Sequence, residues 1–182
     1  MHVAPQRTHS DERYRDARCQ LAVEHFDTPD GPIRRAVIHH PGAVGVIVRP
    51  DPDHLVMVRQ FRYPIQAWTL EIPAGTRDRG EDPQDTALRE LEEEAGLVAG
   101  RFEERVRMFP AVGLSDEELI IYEAFDCQPG TKNPDQGELI AVETVALADL
   151  AQHRRSGLIC DAKTLIALSL IGCADTIVVA AP

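Results

Sequence analysis

Apolar and polar positions partly alternate from Arg18 to Phe26 and again from Ile33 to His39, on either side of the turn-forming run Asp27-Thr28-Pro29-Asp30-Gly31-Pro32, which predicts a β-hairpin. Gly42 to Val48 is almost wholly apolar and reads as a buried strand. Asp51-Pro52-Asp53 then turns the chain into a second strand, His54 to Phe61. Trp68 to Gly75 continues in extended fashion. Beyond it, Ala87, Leu88, Leu91 and Ala95 fall on one stripe at helical spacing and end at Gly96, a C-terminal glycine. Asp82 stands as N-cap, and Pro83 suits the first turn because the N–H it lacks has no intrahelical partner there. Further strands are predicted over Phe102 to Phe109, Leu119 to Phe125 and Leu139 to Leu147. Helices are predicted over Ala148 to Arg155 and Asp161 to Ile171, the second capped by Asp161, with Leu165, Ile166, Leu168 and Leu170 on its apolar side. Residues 1 to 16 show no periodicity and predict a frayed start, and Thr176 to Pro182 is a short apolar tail with no assigned element. Strands and helices alternate irregularly, so the class is α+β, a mixed sheet flanked by helices.

The helix ending at Gly96 carries the chemistry. Glu90, Glu93 and Glu94 stand at i, i+3 and i+4, which places three carboxylates on one patch. Two like charges about 4 Å apart repel by roughly 4 kcal/mol at an effective dielectric of about 20, so the patch calls for a cation among them. All-oxygen ligands suit Mg²⁺ or Mn²⁺. An isolated acidic run is ordinarily a solvated helix face paired with basic neighbours, here Arg89 and Arg101. The fixed offsets of Gly75, Glu81, Arg89, Glu90, Leu91, Glu93, Glu94, Gly96 and Leu97 change that reading, because they fit G-x5-E-x7-R-E-U-x-E-E-x-G-U, with U apolar, at every specified place.

Length and charge narrow the function. The 182 residues suffice for one domain with a sizeable core. A formal charge of −11 gives a phosphate backbone little to hold and argues against nucleic acid as partner, so an anionic small substrate must meet local arginines or metal. Cys19, Cys127, Cys160 and Cys173 are widely spaced, with no zinc pattern, and read as reduced, mostly buried thiols. No cysteine stands beside a base, so nothing supports thiol catalysis. No apolar run is long enough for a membrane span and no signal core opens the chain, so a soluble, cytoplasmic protein is expected.

The nine fixed positions form the Nudix box, and the chain resembles the Nudix hydrolases, within them the ADP-ribose pyrophosphatase group, over nearly its whole length. Outside the box the likeness rests on V-R-Q-F-R-Y-P at 58 to 64, L-E-I-P-A-G at 70 to 75, F-P-A-V-G-L-S-D-E at 109 to 117 and G-L-I-C-D-A-K-T-L-I-A-L at 157 to 168. The resemblance implies an α/β/α sandwich with a mixed sheet and a loop-helix-loop box at 41 to 182. Before it, residues 17 to 40 are similar to a small N-terminal β-region that the group commonly exchanges across a homodimer. Two places depart from the group. Its marker often reads S-P-G-F before S-D-E, where this chain has Phe109 to Leu114, and a commonly found second Glu after the long loop is replaced by Ala141.

The resemblance also implies roles. Glu90, Glu94 and the carbonyl of Ala74 match metal ligands, and Glu93 a third carboxylate ligand or a base. Arg89 matches the residue that orients the box carboxylates, with Glu81 supporting the box loop. Arg62 matches an arginine that meets a substrate phosphate, and Glu71, Gly113 and Glu117 lie in segments that line the substrate. Arg34 or Arg35 would reach the partner subunit's substrate, and Phe26 is a candidate either for stacking on adenine or for the core. The loop Asp126 to Gly137 is long for a compact domain and reads as functional, and Glu138 at its far edge is, with Glu93, a candidate catalytic base. The implied reaction is hydrolysis of ADP-ribose to AMP and ribose 5-phosphate with Mg²⁺ or Mn²⁺. The alternatives are another nucleoside diphosphate derivative, such as a nucleotide sugar or dinucleotide, and a sensor that binds ADP-ribose without cutting it.

Overall fold

A computed structural model describes residues 3–133 and 139–173. Glu138, a candidate base, and the apolar tail from Thr176 lie outside these residues. Two compact units emerge from the described chain, the first from residues up to 42 together with 108–118, the second from 43–107 and 119 onward.

The first unit is a three-stranded antiparallel sheet in the order β1 (Gln6–Arg15), β2 (Gln20–Thr28), β3 (Gly31–His39). The β2–β3 hairpin forms at the expected place, and Gly31 takes the left-handed φ of 111° that closes its turn. Residues 6–15, whose pattern predicts fraying, form instead a ten-residue strand paired along β2. Nearly every β1 side chain is exposed, so its order comes from backbone pairing and leaves no apolar alternation in the sequence. Residues 108–118 join this unit through Ser115, whose hydroxyl donates to the Ile38 carbonyl at 2.9 Å, and through Asp116, which accepts from the His40 N–H at 2.8 Å.

The second unit builds two sheets. One runs β7 (Ala74–Thr76), β4 (Ala43–Val48), β10 (Leu119–Phe125) and β9 (Arg101–Met108). It is mixed, because β4 pairs parallel to β10 and antiparallel to β7. The other runs β12 (Ile140–Ala146), β5 (His54–Arg62) and β6 (Ala67–Glu71), all antiparallel. Short strands β8 (Leu97–Val98) and β11 (Gln128–Pro129) pair with each other. β4 is buried on both faces, as its apolar run predicts, and β10 is buried beside it, while α1 (Pro83–Glu90) sets Ala87 and the following Leu91 into the cluster of Val44, Val46, Val48, Val56 and Ile120.

Helix α2 (Leu150–Arg155) follows a tight turn at Leu147–Asp149, and α3 (Ala162–Leu170) is capped by Asp161, which accepts from the Thr164 N–H at 3.1 Å. Of the four residues expected on the apolar side of α3, only Leu168 is fully buried; Thr164 and Ala167 are buried beside it. All four cysteines are free and half-buried, and burial raises the thiol pKa of Cys127 and Cys160. Among the described residues no helix is long and apolar enough to cross a membrane.

Candidate active site

The N-cap is made as expected: Asp82 accepts from the Gln84 N–H at 2.8 Å, and Pro83 occupies the first turn. Past Glu90 the helix does not stay regular. Leu91–Ala95 form a widened turn in which the Gly96 N–H reaches the carbonyls of Leu91 and Glu92, and Gly96 closes it at φ 67°. Such a widening adds a residue to the turn and changes which side chains face the sheet. Glu94 is buried, 4% exposed, with Oε2 accepting from the Ala74 N–H at 2.9 Å, while Glu93 stays half-exposed. Glu94 is thereby held against β7, and Glu93 is left toward solvent.

Glu90 meets the same stretch of backbone. A Cβ built on Gly75 would lie 1.9 Å from Glu90 Cδ and 2.0 Å from Oε1, so the absence of a side chain at 75 creates the cradle for this carboxylate. Glu90 and Glu94 thus converge on Ala74 and Gly75, one by packing and the other by a hydrogen bond. A buried and a half-buried carboxylate beside one backbone segment are hard oxygen donors of the kind a divalent cation takes, while among the described residues no three His, Cys, Asp or Glu side chains are grouped so as to hold a metal ion by themselves.

Arg89 organises the carboxylates from the exposed side. Its Nη1 donates to Glu90 Oε1 at 2.8 Å and to Glu93 Oε2 at 3.0 Å, and its Nε and Nη2 hold the two oxygens of Glu81, each at 3.1 Å. Nη2 also reaches the Thr76 carbonyl at 3.3 Å. Hydrogen bonding from Arg89, helped by the Asp78 N–H and Thr86 and opposed by burial, brings the Glu81 carboxyl down to about 2. In turn, hydrogen bonding to Glu81 and the charge of Glu90 push the Arg89 pKa upward. One arginine ties three carboxylates and the box loop together.

A second network lies three residues before Ala74. Glu71, 1% exposed, is gripped by Arg62 in a two-point fork, Nε to Oε1 at 2.7 Å and Nη2 to Oε2 at 2.6 Å. Thr69 donates to Oε1 at 2.6 Å, and Lys163 from α3 donates to Oε2. Burial alone would raise the Glu71 pKa, but the Arg62 hydrogen bond and the Lys163 charge hold it below the usual carboxylate range. Asp161 is expected only as a helix N-cap, and Lys163 and Thr69 are not singled out by the residue pattern. Lys163 lies inside the G-L-I-C-D-A-K-T-L-I-A-L segment, and an Asp-x-Lys at a helix start is the only local signal.

The remaining expected residues belong to the first unit. Phe26 is half-buried on β2 opposite Ile33. Arg34 and Arg35 are exposed on β3, with Arg35 donating to the Arg34 carbonyl at 2.8 Å. Gly113 is exposed with nothing within 4 Å of an added Cβ, and the Glu117 N–H donates to Ser115 Oγ at 3.1 Å.

Comparison with known proteins identifies the family. The family model described as NUDIX domain matches residues 39–164. The chain is 35% identical to the ADP-ribose pyrophosphatase of Bacillus subtilis (strain 168) over 154 residues, 83% of each protein. It is 34% identical to the methanol dehydrogenase activator of Bacillus methanolicus over 155 residues, 84% of each. The crystal structure of an ADP compounds hydrolase superposes with a TM-score of 0.78 at 21% identity, over 94% of both chains, and shares the fold. On the match across residues 39–164, which contain the box, both carboxylate networks and the sheets that hold them, this chain belongs to the Nudix hydrolases.

Proposed function

We propose that the protein hydrolyses the pyrophosphate bond of ADP-ribose, giving AMP and ribose 5-phosphate, with Mg²⁺ or Mn²⁺ as cofactor. The observation that carries the chemistry is the convergence of Glu90 and Glu94 on the Ala74–Gly75 backbone. Similarity to the B. subtilis ADP-ribose pyrophosphatase over 83% of both chains supports the substrate. Nudix hydrolases generally use divalent metal ions, and Glu90, Glu93, Glu94 and the Ala74 carbonyl are the residues that would hold them here. When bound, the metal neutralises pyrophosphate charge and makes a water a stronger nucleophile.

The chain's own residues do the rest. Arg89 keeps Glu90 and Glu93 aimed and prevents three neighbouring carboxylates from splaying under mutual repulsion. Arg62, fixed on one edge by Glu71, presents its outer edge to a substrate phosphate. Either Glu138 or Glu93, the latter half-exposed beside Arg89, would accept a proton from the attacking water. Exchange of the N-terminal unit across a homodimer belongs to the same reading, with Phe26, Arg34, Arg35, Gly113 and Glu117 serving the substrate. Light scattering of the purified protein checks the dimer.

A second reading is hydrolysis of another nucleoside diphosphate derivative such as a nucleotide sugar or dinucleotide, and the B. methanolicus relative, whose name states no substrate, leaves it standing. That protein matches this chain as closely as the pyrophosphatase does and is named for activating a dehydrogenase. Glu94→Gln separates both hydrolase readings from a binding-only sensor. It removes a buried charge without changing shape, so metal-dependent turnover falls by roughly three orders of magnitude or more while the fold persists. Near-normal turnover in this variant overturns the site.

A further inference from the structure

We propose that Lys163 is a positioning residue: from the first turn of α3 it fixes the Glu71 carboxylate, and through it the Arg62 guanidinium that meets substrate phosphate. The inference rests on the reading of Arg62 as a phosphate contact and adds a residue that neither the box nor its flanking arginine identifies.

Glu71 is 1% exposed, and a carboxylate that deep requires both charge and hydrogen bonds. Arg62 alone satisfies the charge. Yet both oxygens are doubly occupied, Oε1 by Arg62 Nε and Thr69 Oγ1, Oε2 by Arg62 Nη2 and Lys163 Nζ. With donors on both sides of each oxygen the carboxylate plane cannot turn. A two-point fork shares the plane of its carboxylate, so fixing Glu71 fixes the guanidinium.

Lys163 is itself anchored. Its Nζ donates to Asp161 Oδ1 at 2.8 Å, and the same oxygen caps α3 by accepting from the Thr164 N–H at 3.1 Å. Burial would lower the Lys163 pKa, but Asp161 and Glu71 raise it, so the group stays cationic. The next residue, Thr164, accepts the Ile72 N–H on Oγ1 at 3.1 Å, which ties the same helical turn to the link between Glu71 and Ala74. Two cations and two carboxylates therefore close a neutral network whose most accessible member is Arg62, its side chain 40% exposed. Arg62 spends Nε and Nη2 on Glu71, and its Nη1 makes no hydrogen bond to the described residues. The fork holds the inner edge and leaves the outer edge for an anion.

A merely structural lysine lowers stability and leaves substrate affinity alone. A positioning lysine raises KM, because the misdirected group binds phosphate before and during reaction, and its effect vanishes when Arg62 is gone. The test is a double-mutant cycle of Lys163→Met and Arg62→Ala, with steady-state kinetics on ADP-ribose and on the diphosphate compound turned over fastest, with Mg²⁺. Lys163→Met raises KM roughly tenfold or more with kcat little changed, adds nothing to Arg62→Ala, and Lys163→Arg restores most of the loss. If Lys163→Met does not fold, Lys163→Gln carries the same cycle. An unchanged KM, or the same rise in KM with and without Arg62, overturns this inference alone. Turnover confined to another diphosphate overturns the ADP-ribose reading, and the cycle is then decided on that compound. Turnover of no diphosphate by the wild type overturns both.

Discussion

The carboxylate of Glu90 occupies the place where a side chain on residue 75 would be, 1.9 Å from an added Cβ at its nearest atom. Gly75 is thus required for close approach rather than for backbone conformation, since its φ is not positive. Gly75→Ala must push Glu90 out of its cradle, away from Ala74 and from Arg89. Because the displaced atoms are the end of a flexible side chain, the fold tolerates the change at about 1 kcal/mol, while kcat falls about a hundredfold or more. Thermal melting and steady-state kinetics on the same preparation check both halves; near-normal kcat contradicts the cradle.

Glu81 supplies a pH signature. Its folded pKa of about 2 lies below the ordinary 4.5, so the folded protein binds fewer protons than the unfolded chain between those values. The stabilisation is present above about pH 4.5 and is lost as pH falls toward about 2. Urea unfolding of wild type and Glu81→Gln at about pH 6, 4.5 and 3 measures it. The wild type is the more stable at the highest pH and the gap closes on acidification. Parallel curves contradict the Arg89–Glu81 assignment.

His39 gives the opposite sign in the first unit. Its Nδ1 lies 2.5 Å from Asp116 Oδ2 and its Nε2 2.7 Å from Glu24 Oε1. Hydrogen bonding to Asp116 and then to Glu24 outweighs burial and raises its pKa above 6.5. A raised folded pKa contributes stability fully present below 6.5 and lost as pH rises through the folded value. The ring resonances of His39 titrate above 6.5 in NMR, and His39→Gln flattens the decline of melting temperature from about pH 6 to about pH 9. A ring midpoint at or below 6.5 contradicts the bridge between the two carboxylates.

What could be read from residues alone follows a physical division. Asp82, Pro83 and Gly96 act through local backbone geometry, so the bounds of the box helix were visible in their order. The apolar run of β4 reported its own burial. The β1 strand was hidden because its exposed side chains carry no alternation, and pairing with β2 is a long-range fact. The widened turn at Leu91–Ala95 was hidden too. Helical spacing put Glu90, Glu93 and Glu94 on one face, whereas the contact of Glu94 with Ala74 depends on where β7 lies. Lys163 and Glu71 are 92 residues apart, and no local pattern joins a lysine in one helix to a buried carboxylate in a distant strand.

The central claim is that these residues cut a nucleoside diphosphate derivative, ADP-ribose foremost. The most direct measurement is phosphatase-coupled phosphate release from a panel of such compounds, with Mg²⁺, with Mn²⁺ and with chelator. ADP-ribose itself resists the phosphatase, whereas AMP and ribose 5-phosphate do not. The account predicts a dominant metal-dependent rate on ADP-ribose that chelator abolishes; binding of ADP-ribose without phosphate release from any compound contradicts it.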